Sequence, residues 1–250
     1  MQRPIEALAA DREEVLRIGA ELDTQGWEAA SGCAGWSTKD VVAHLGTLFW
    51  TLVDLSVLED VPGMGTEEIV DRWVAARRGM SGPEVLDDYA TVSEKALVVL
   101  DAMAGVDEEM AIGDLGTYPA RVLPTAFCFD HYTHIRADLF APRGSLPGPV
   151  PPSDELRLIP ALDWIEAAVP QQNRAIVESA GFGAADVVVS GTAARTIRIG
   201  SPSGPAATTV RSDADTLVRW ITQRGDWQSL GVHAEGDPAT SAALQRLKVF

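Results

Sequence analysis

The stretch Phe129-Asp130-His131-Tyr132-Thr133-His134-Ile135-Arg136-Ala137-Asp138-Leu139 holds two of the four histidines in the chain. Asp130 lies four residues before His134, so on a helix the carboxylate and the imidazole share a face one turn apart, along with Leu123 and Phe127. Burying such a pair is costly unless the two groups satisfy each other or hold a metal. His44 is the best third partner elsewhere in the chain. Two imidazoles and one carboxylate suit a divalent first-row metal, zinc or a relative, with positions left open for water or a thiol. The competing reading is a structural polar cluster in which Asp130 and His134 pair only with each other. Acids make up 36 of the 250 residues, so an acid four residues before some histidine arises readily by chance. Placement on facing helices carries the weight. His131 is turned off this face and suits ligation less, and His233 reads as structural.

Periodicity indicates the elements that position these side chains. Residues 5 to 25 carry a helical stripe through Leu8, Val15, Ile18 and Leu22, broken by Gly26 and by Ser31-Gly32-Cys33-Ala34-Gly35. A second helix opens at Trp36-Ser37-Thr38-Lys39-Asp40, with Ser37 as N-cap and Asp40 as an acidic variant of the capping box. Its stripe runs Val41, Leu45, Leu48, Leu52, Leu55, with His44 at the edge. A turn at Pro62-Gly63-Met64-Gly65 precedes a third helix capped by Thr66 and running through Ile69, Val70 and Trp73. Gly79 to Pro83 interrupts it, and residues 84 to 104 resume the helical pattern. The acids from Asp101 to Asp114 read as a solvated face. A fourth helix is expected from Pro119 to about Phe140, with Pro124 shifting its start or bending it. Four long helices with short connections predict a bundle whose core can host a site.

Composition then changes. Pro142, Gly144, Pro147, Gly148, Pro149, Pro151 and Pro152 predict a stiff linker, dividing an all-α domain at 1–145 from an α+β domain at 153–250. Beyond it a helix is expected over 155–169, then strands over 186–190, 195–199 and 207–210. A helix over 213–222, capped by Ser212 or Asp213, precedes a strand over 231–234 and a helix over 238–247. A small antiparallel sheet with helices on one face follows.

Composition excludes several functions. The chain is 46% hydrophobic yet has no unbroken apolar run of about 18 residues, so a spanning helix is not expected. Its first residues lack the basic-then-apolar layout of a secretory signal. Cys33 and Cys128, far apart, support neither a disulfide framework nor a cysteine zinc site. A formal charge of −16 argues against nucleic acid or an anionic membrane as partner. The expectation is a soluble cytoplasmic protein.

The two halves together carry a resemblance. Trp36-Ser37-Thr38-Lys39-Asp40-Val41-Val42-Ala43-His44-Leu45, followed by Asp130-x-x-x-His134, resembles the metal-binding triad of DinB-like bundles and is most similar to the mycothiol-dependent maleylpyruvate isomerase family. Leu217-Val218-Arg219-Trp220-Ile221-Thr222-Gln223-Arg224 and Glu235-Gly236-Asp237-Pro238 resemble that family's sterol-carrier-like C-terminal domain. The resemblance implies a divalent metal, zinc by its donor set, held by His44, Asp130 and His134. It implies mycothiol as thiol co-substrate and an electrophilic small molecule as substrate. The reaction is then cis–trans isomerisation of a maleylpyruvate-like compound or a thiol S-transfer. Asp130 stands where the family carries glutamate, one methylene longer. Arg224 matches a family arginine and is expected either to clamp a substrate carboxylate bidentately or, as a surface arginine, to offset Asp226 or Asp215. The alternative is a non-catalytic binding or regulatory protein on the same fold.

Overall fold

The computed structural model describes residues 3–58 and 63–250, so the expected turn at Pro62 begins outside the described residues. Helix α1 spans Arg3–Glu21 and a short α2 spans Thr24–Glu28. Helix α3, Thr38–Val53, starts at the expected capping box: the Ser37 side chain accepts from the Asp40 N–H while the Asp40 carboxylate accepts from the Ser37 N–H. That reciprocal pair satisfies two of the donors a helix start leaves open. Helix α4, Thr66–Arg77, is capped at Gly65 rather than by Thr66. The Thr66 hydroxyl and amide both donate to Asp114 instead, so the group expected to cap is spent on a neighbouring turn. After the break at Gly79–Ser81, α5 covers Gly82–Met103 with Pro83 in its first turn.

The acidic segment that follows is not only a solvated face. It forms a small antiparallel hairpin, β1 at Glu109–Ala111 and β2 at Thr117–Pro119. Its alternation is masked because Tyr118 is its one buried side chain. Gln171 closes the hairpin's edge from a distant helix, donating to Thr117 O at 2.5 Å and accepting from Thr117 N at 2.9 Å. The fourth long helix, α6, therefore starts at Leu123 and runs to Thr133, with Pro124 in its first turn. Proline is tolerated there because its missing N–H would have no partner in any case. From His134 to Leu139 the helix widens into a π turn.

Helix α7, Glu155–Gln172, and a short α8, Arg174–Val177, open the second half. Strands β3 (Ala185–Ser190), β4 (Arg195–Ile199) and β5 (Thr208–Asp213) precede α9 (Ala214–Ile221), and β6 (His233–Gly236) precedes α10 (Pro238–Leu244). Asp213 is the cap of α9, accepting from the Thr216 N–H. The sheet has the order β4-β3-β5-β6 and is mixed: β3 pairs parallel with β5, and the other two pairs are antiparallel. The expected wholly antiparallel pairing fails at one ladder because the loop after β4 carries the chain past the start of β3, so β5 enters beside β3 in the same direction. Alternation in β3 reports which face is buried, not which neighbour lies alongside.

Two apolar cores result. One joins α1, α3, α5 and α6 through residues such as Leu8, Leu45, Phe49, Tyr89 and Ile135. The other joins the sheet to α7 and α9 through Val187, Ile197, Val210, Trp164 and Trp220, and it also takes in Tyr118, Phe129 and Tyr132 from the helical half. The Pro-rich segment between the halves runs mostly exposed but is anchored to the protein at intervals: Leu146 is buried, and Pro152 O accepts from Arg136 Nε at 2.9 Å. The Tyr132 hydroxyl reaches Asp215 Oδ1 at 2.7 Å and Ser153 Oγ at 2.8 Å. No helix among the described residues is long and apolar enough to cross a membrane.

A buried ionic triad ties three helices together. Asp11 of α1 accepts from both terminal nitrogens of Arg136, at 3.2 and 2.8 Å, and from Arg157 Nε of α7 at 2.7 Å. All three side chains are buried. Removing the acid leaves the desolvated Arg136 guanidinium without a carboxylate and Arg157 with Asp154 alone, and breaking such a buried pair costs about 3–5 kcal/mol. Asp11→Ala should lower the stability read from urea unfolding by that amount. A loss below about 1 kcal/mol would show that the triad contributes no net stability.

Candidate metal centre

His44 projects from the middle of α3, Asp130 from the last turn of α6 and His134 from the start of the π turn that continues it, so the three side chains meet between the two helical segments. His44 Nε2 lies 3.1 Å and His134 Nε2 3.4 Å from the same oxygen, Asp130 Oδ1. The two imidazole rings stand edge to face, 4.7 Å between centroids, and Trp36 covers His44 at 5.4 Å. One ligating atom from each of the three residues lies within 4.8 Å of the others.

Electrostatics at the cluster run against burial. Desolvation by itself would raise the Asp130 carboxyl, yet His44 and His134 outweigh it and hold the group well below the usual carboxylate range. Desolvation would lower His134, yet Asp130 and Asp138 outweigh it and raise the imidazole well above its ordinary value. The site thus favours positive charge at the histidine edge that faces Asp130. The donor set fits a divalent cation on a further ground: Asp130 Oδ2 and His44 Nδ1 are buried with no hydrogen-bond partner among the described residues. A cation would satisfy an orphaned carboxylate oxygen that protein groups leave unpaired.

The residue that sequence reasoning missed is Asp138. It lies one turn beyond His134, continuing the face that carries Asp130 and His134, so the same four-residue spacing would have found it. Fully buried, it accepts from His134 Nδ1 at 2.9 Å. That bond fixes the ring and leaves Nε2 toward His44 and Asp130, the arrangement in which a carboxylate orients a ligating histidine. Arg224 Nη2 and Nε donate to Asp138 Oδ2 at 2.6 and 2.9 Å, and Cys33 Sγ lies 3.4 Å from the same oxygen. Burial would raise the Asp138 carboxyl; His134 and Arg224 together drive it far below the ordinary value.

Arg224 reaches the cluster because of how α9 ends. Arg224 N donates to Arg219 O at 2.7 Å and Gln223 N to Trp220 O at 3.1 Å, with Gln223 left-handed at φ 58°. This Schellman closure turns the chain back at the residue that carries the guanidinium. The structure therefore brings Arg224 to the site, but its two-nitrogen edge faces Asp138 rather than open space. His131 is buried and points elsewhere: Nδ1 donates to Phe127 O at 2.9 Å and Nε2 accepts from the Tyr89 hydroxyl at 3.1 Å. Burial pushes His131 down to about 4, so it is a neutral core group near pH 7. His233 lies exposed on β6.

A helical bundle with a His/Asp/His cluster between two helices, closed from outside by an arginine of a following α+β half, defines a class of bundle proteins with a candidate metal site. Comparison with known sequences narrows the class. The chain belongs to the family described as the mycothiol maleylpyruvate isomerase N-terminal domain, matched over residues 8–139. The solved structure of a mycothiol-dependent maleylpyruvate isomerase is similar with a TM-score of 0.60 at 17% identity, covering 95% of each chain. A histidine-to-alanine mutant of a mycothiol-dependent maleylpyruvate isomerase gives 0.59 at 16% identity over 95% of each chain. These likenesses concern the fold. No curated protein matches the chain in sequence.

The Asp138–His134 bond yields an expected outcome. Loss of a carboxylate that orients a ligating histidine costs about 10–100-fold in metal affinity. Asp138→Asn should weaken zinc binding on that scale in chelator competition, and His44→Ala should abolish stoichiometric binding. Unchanged affinity in Asp138→Asn would place His134 outside the metal shell.

Proposed function

We propose that this chain is an enzyme that uses mycothiol, a low-molecular-weight thiol, at a divalent metal held by His44, Asp130 and His134. Its substrate is an electrophilic, carboxylate-bearing small molecule. The reading is supported by the convergence of those three side chains in a chain that belongs to the maleylpyruvate isomerase family. Zinc is the metal that best suits two imidazoles and one carboxylate with positions left open. Bound there, the cation supplies Lewis acidity that deprotonates a coordinated thiol and makes it a nucleophile at neutral pH.

The chain's own groups do the rest. Asp138 holds the His134 ring through Nδ1, so Nε2 is presented without a search over rotamers. Trp36, against the His44 ring, shields the cluster from water on one side and so strengthens every charge interaction inside. Arg224 is largely buried and bound to Asp138; it serves the site as the cation that the second half contributes, and its charge favours an acidic substrate. In this reading the chain works as two domains, 1–145 carrying the metal and 153–250 carrying Arg224, with the substrate site where they meet. A cytoplasmic location accords with a thiol chemistry that needs reducing conditions. If the thiol leaves again the reaction is a cis–trans isomerisation of a maleylpyruvate-like compound, and if it stays attached the reaction is an S-transfer.

The test is single-turnover consumption of mycothiol with maleylpyruvate by zinc-loaded protein. His44→Ala should lose both metal and turnover. Arg224→Ala should keep its metal and lose turnover by about 10–100-fold, the scale on which outer partners of a metal site act. Equal rates in all three proteins would sink the metal–thiol reading. Bound zinc with no turnover in the wild type would favour a non-catalytic binding protein.

A further inference from the structure

A groove of about 450 Å³ runs along the Ser31–Ser37 loop beside Arg143, a volume within the range of small-molecule sites. It lies one side chain away from the histidine cluster. Cys33, in its wall, has Sγ 3.7 Å from His134 Nδ1, and Trp36, also in its wall, lies tilted against the His44 ring at 5.4 Å.

The charge around this groove is unbalanced in a way the whole chain is not. Two guanidiniums, Arg224 and Arg143, approach the single carboxylate of Asp138. Arg224 takes it, with contacts of 2.6 and 2.9 Å, while Arg143 Nε is left at 3.4 Å. Arg143 Nη2 donates to Gly32 O at 2.6 Å, and among the described residues Nη1 has no acceptor. At the other end of the same loop Arg78 Nη2 donates to Gly35 O at 3.4 Å, its Nε lying 3.5 Å from Asp40. Each arginine is thus pinned to a loop carbonyl, which fixes where its charge sits. The acid in the groove wall, Glu28, is already paired with Lys39 at 2.8 Å. In a chain of formal charge −16, this mouth carries surplus positive charge, with a guanidinium edge unspent.

We propose that this groove is a carboxylate-binding site in which Arg143 holds a small organic acid beside the histidine cluster. The assignment rests on the thiol-enzyme reading for the identity of the acid, and it moves the substrate contact from Arg224, whose two-nitrogen edge Asp138 occupies, to Arg143. Arg143 forms charge-assisted bonds to the carboxylate through Nη1, the planar fork being suited to that anion. Nothing in the binding step requires a metal or a thiol.

The experiment titrates maleate into the full-length protein by calorimetry, in wild type, Arg143→Ala, Arg143→Lys and His44→Ala. Wild type and His44→Ala should bind maleate alike. Arg143→Ala should bind about tenfold more weakly, a charge-assisted bond's worth, with Arg143→Lys between the two. The uncharged diamide of maleic acid should not bind, and wild-type affinity should fall with added salt. Arg143→Ala equal to wild type overturns the assignment. So does loss of binding in His44→Ala with Arg143→Ala unaffected, which would put the anion on the histidines. Maleate binding that depends on Arg143 in a protein with no mycothiol turnover keeps the anion site while the enzyme reading fails.

Discussion

A carboxylate buried without access to water must find its partners inside the protein, and Asp138 finds them on four separate segments. His134 comes from its own helix, Arg224 from the end of α9, Arg143 from the connection after α6, and Cys33 from the loop before α3. Leaving such a group unpaired costs several kcal/mol, so each segment is held where its donor can reach. The cost is reciprocal. Arg224 is itself largely desolvated, and the carboxylate raises its pKa against the opposing effect of burial. The second half of the chain is therefore docked by a charge pair at the same place where the candidate chemistry sits.

The segment that carries this carboxylate serves two masters. One side of residues 130–138 presents Asp130, His134 and Asp138 to the cluster. Arg136, between them in sequence, faces the opposite way and joins Asp11 and Arg157 in a buried triad. The helix changes to a π turn at His134. Such turns are rare and cluster at functional sites, because widening by one residue per turn lets a helix aim side chains that a regular α-turn would not. Here the wider turn keeps both sets satisfied at once: anchors against α1 and α7 on one side, the histidine and its carboxylate on the other. Stability and site geometry share a backbone, so substitutions at 136 bear on the position of 134.

The groove beside Arg143 follows from the same arithmetic. One carboxylate fully pairs one guanidinium in a bidentate contact. A second guanidinium brought to it is left under-neutralised, and a charge held at an accessible mouth attracts a counter-ion from solution. Burial at Asp138 and openness at Arg143 are two ends of one chain of interactions.

By itself the sequence determined the local elements and the faces they bury. Ser37 and Asp40 mark the start of α3, because a reciprocal capping pair needs only neighbours three residues apart. Alternation in 186–190 and 195–199 marked strands, and the spacing of Asp130 and His134 put them on one face. Those signals are short-range, so they are written in consecutive residues. Tertiary structure alone decided what each face meets. It turned Arg224 onto Asp138 through the closure of α9, set β5 parallel beside β3, folded an acidic segment into a hairpin closed by Gln171, and brought Cys33 to His134 and Arg143 to Asp138. Periodicity reports that a face is buried and how it repeats along the chain. It carries no information about a partner a hundred residues away, whose position is set by loop closure, packing and the pairing of buried charge.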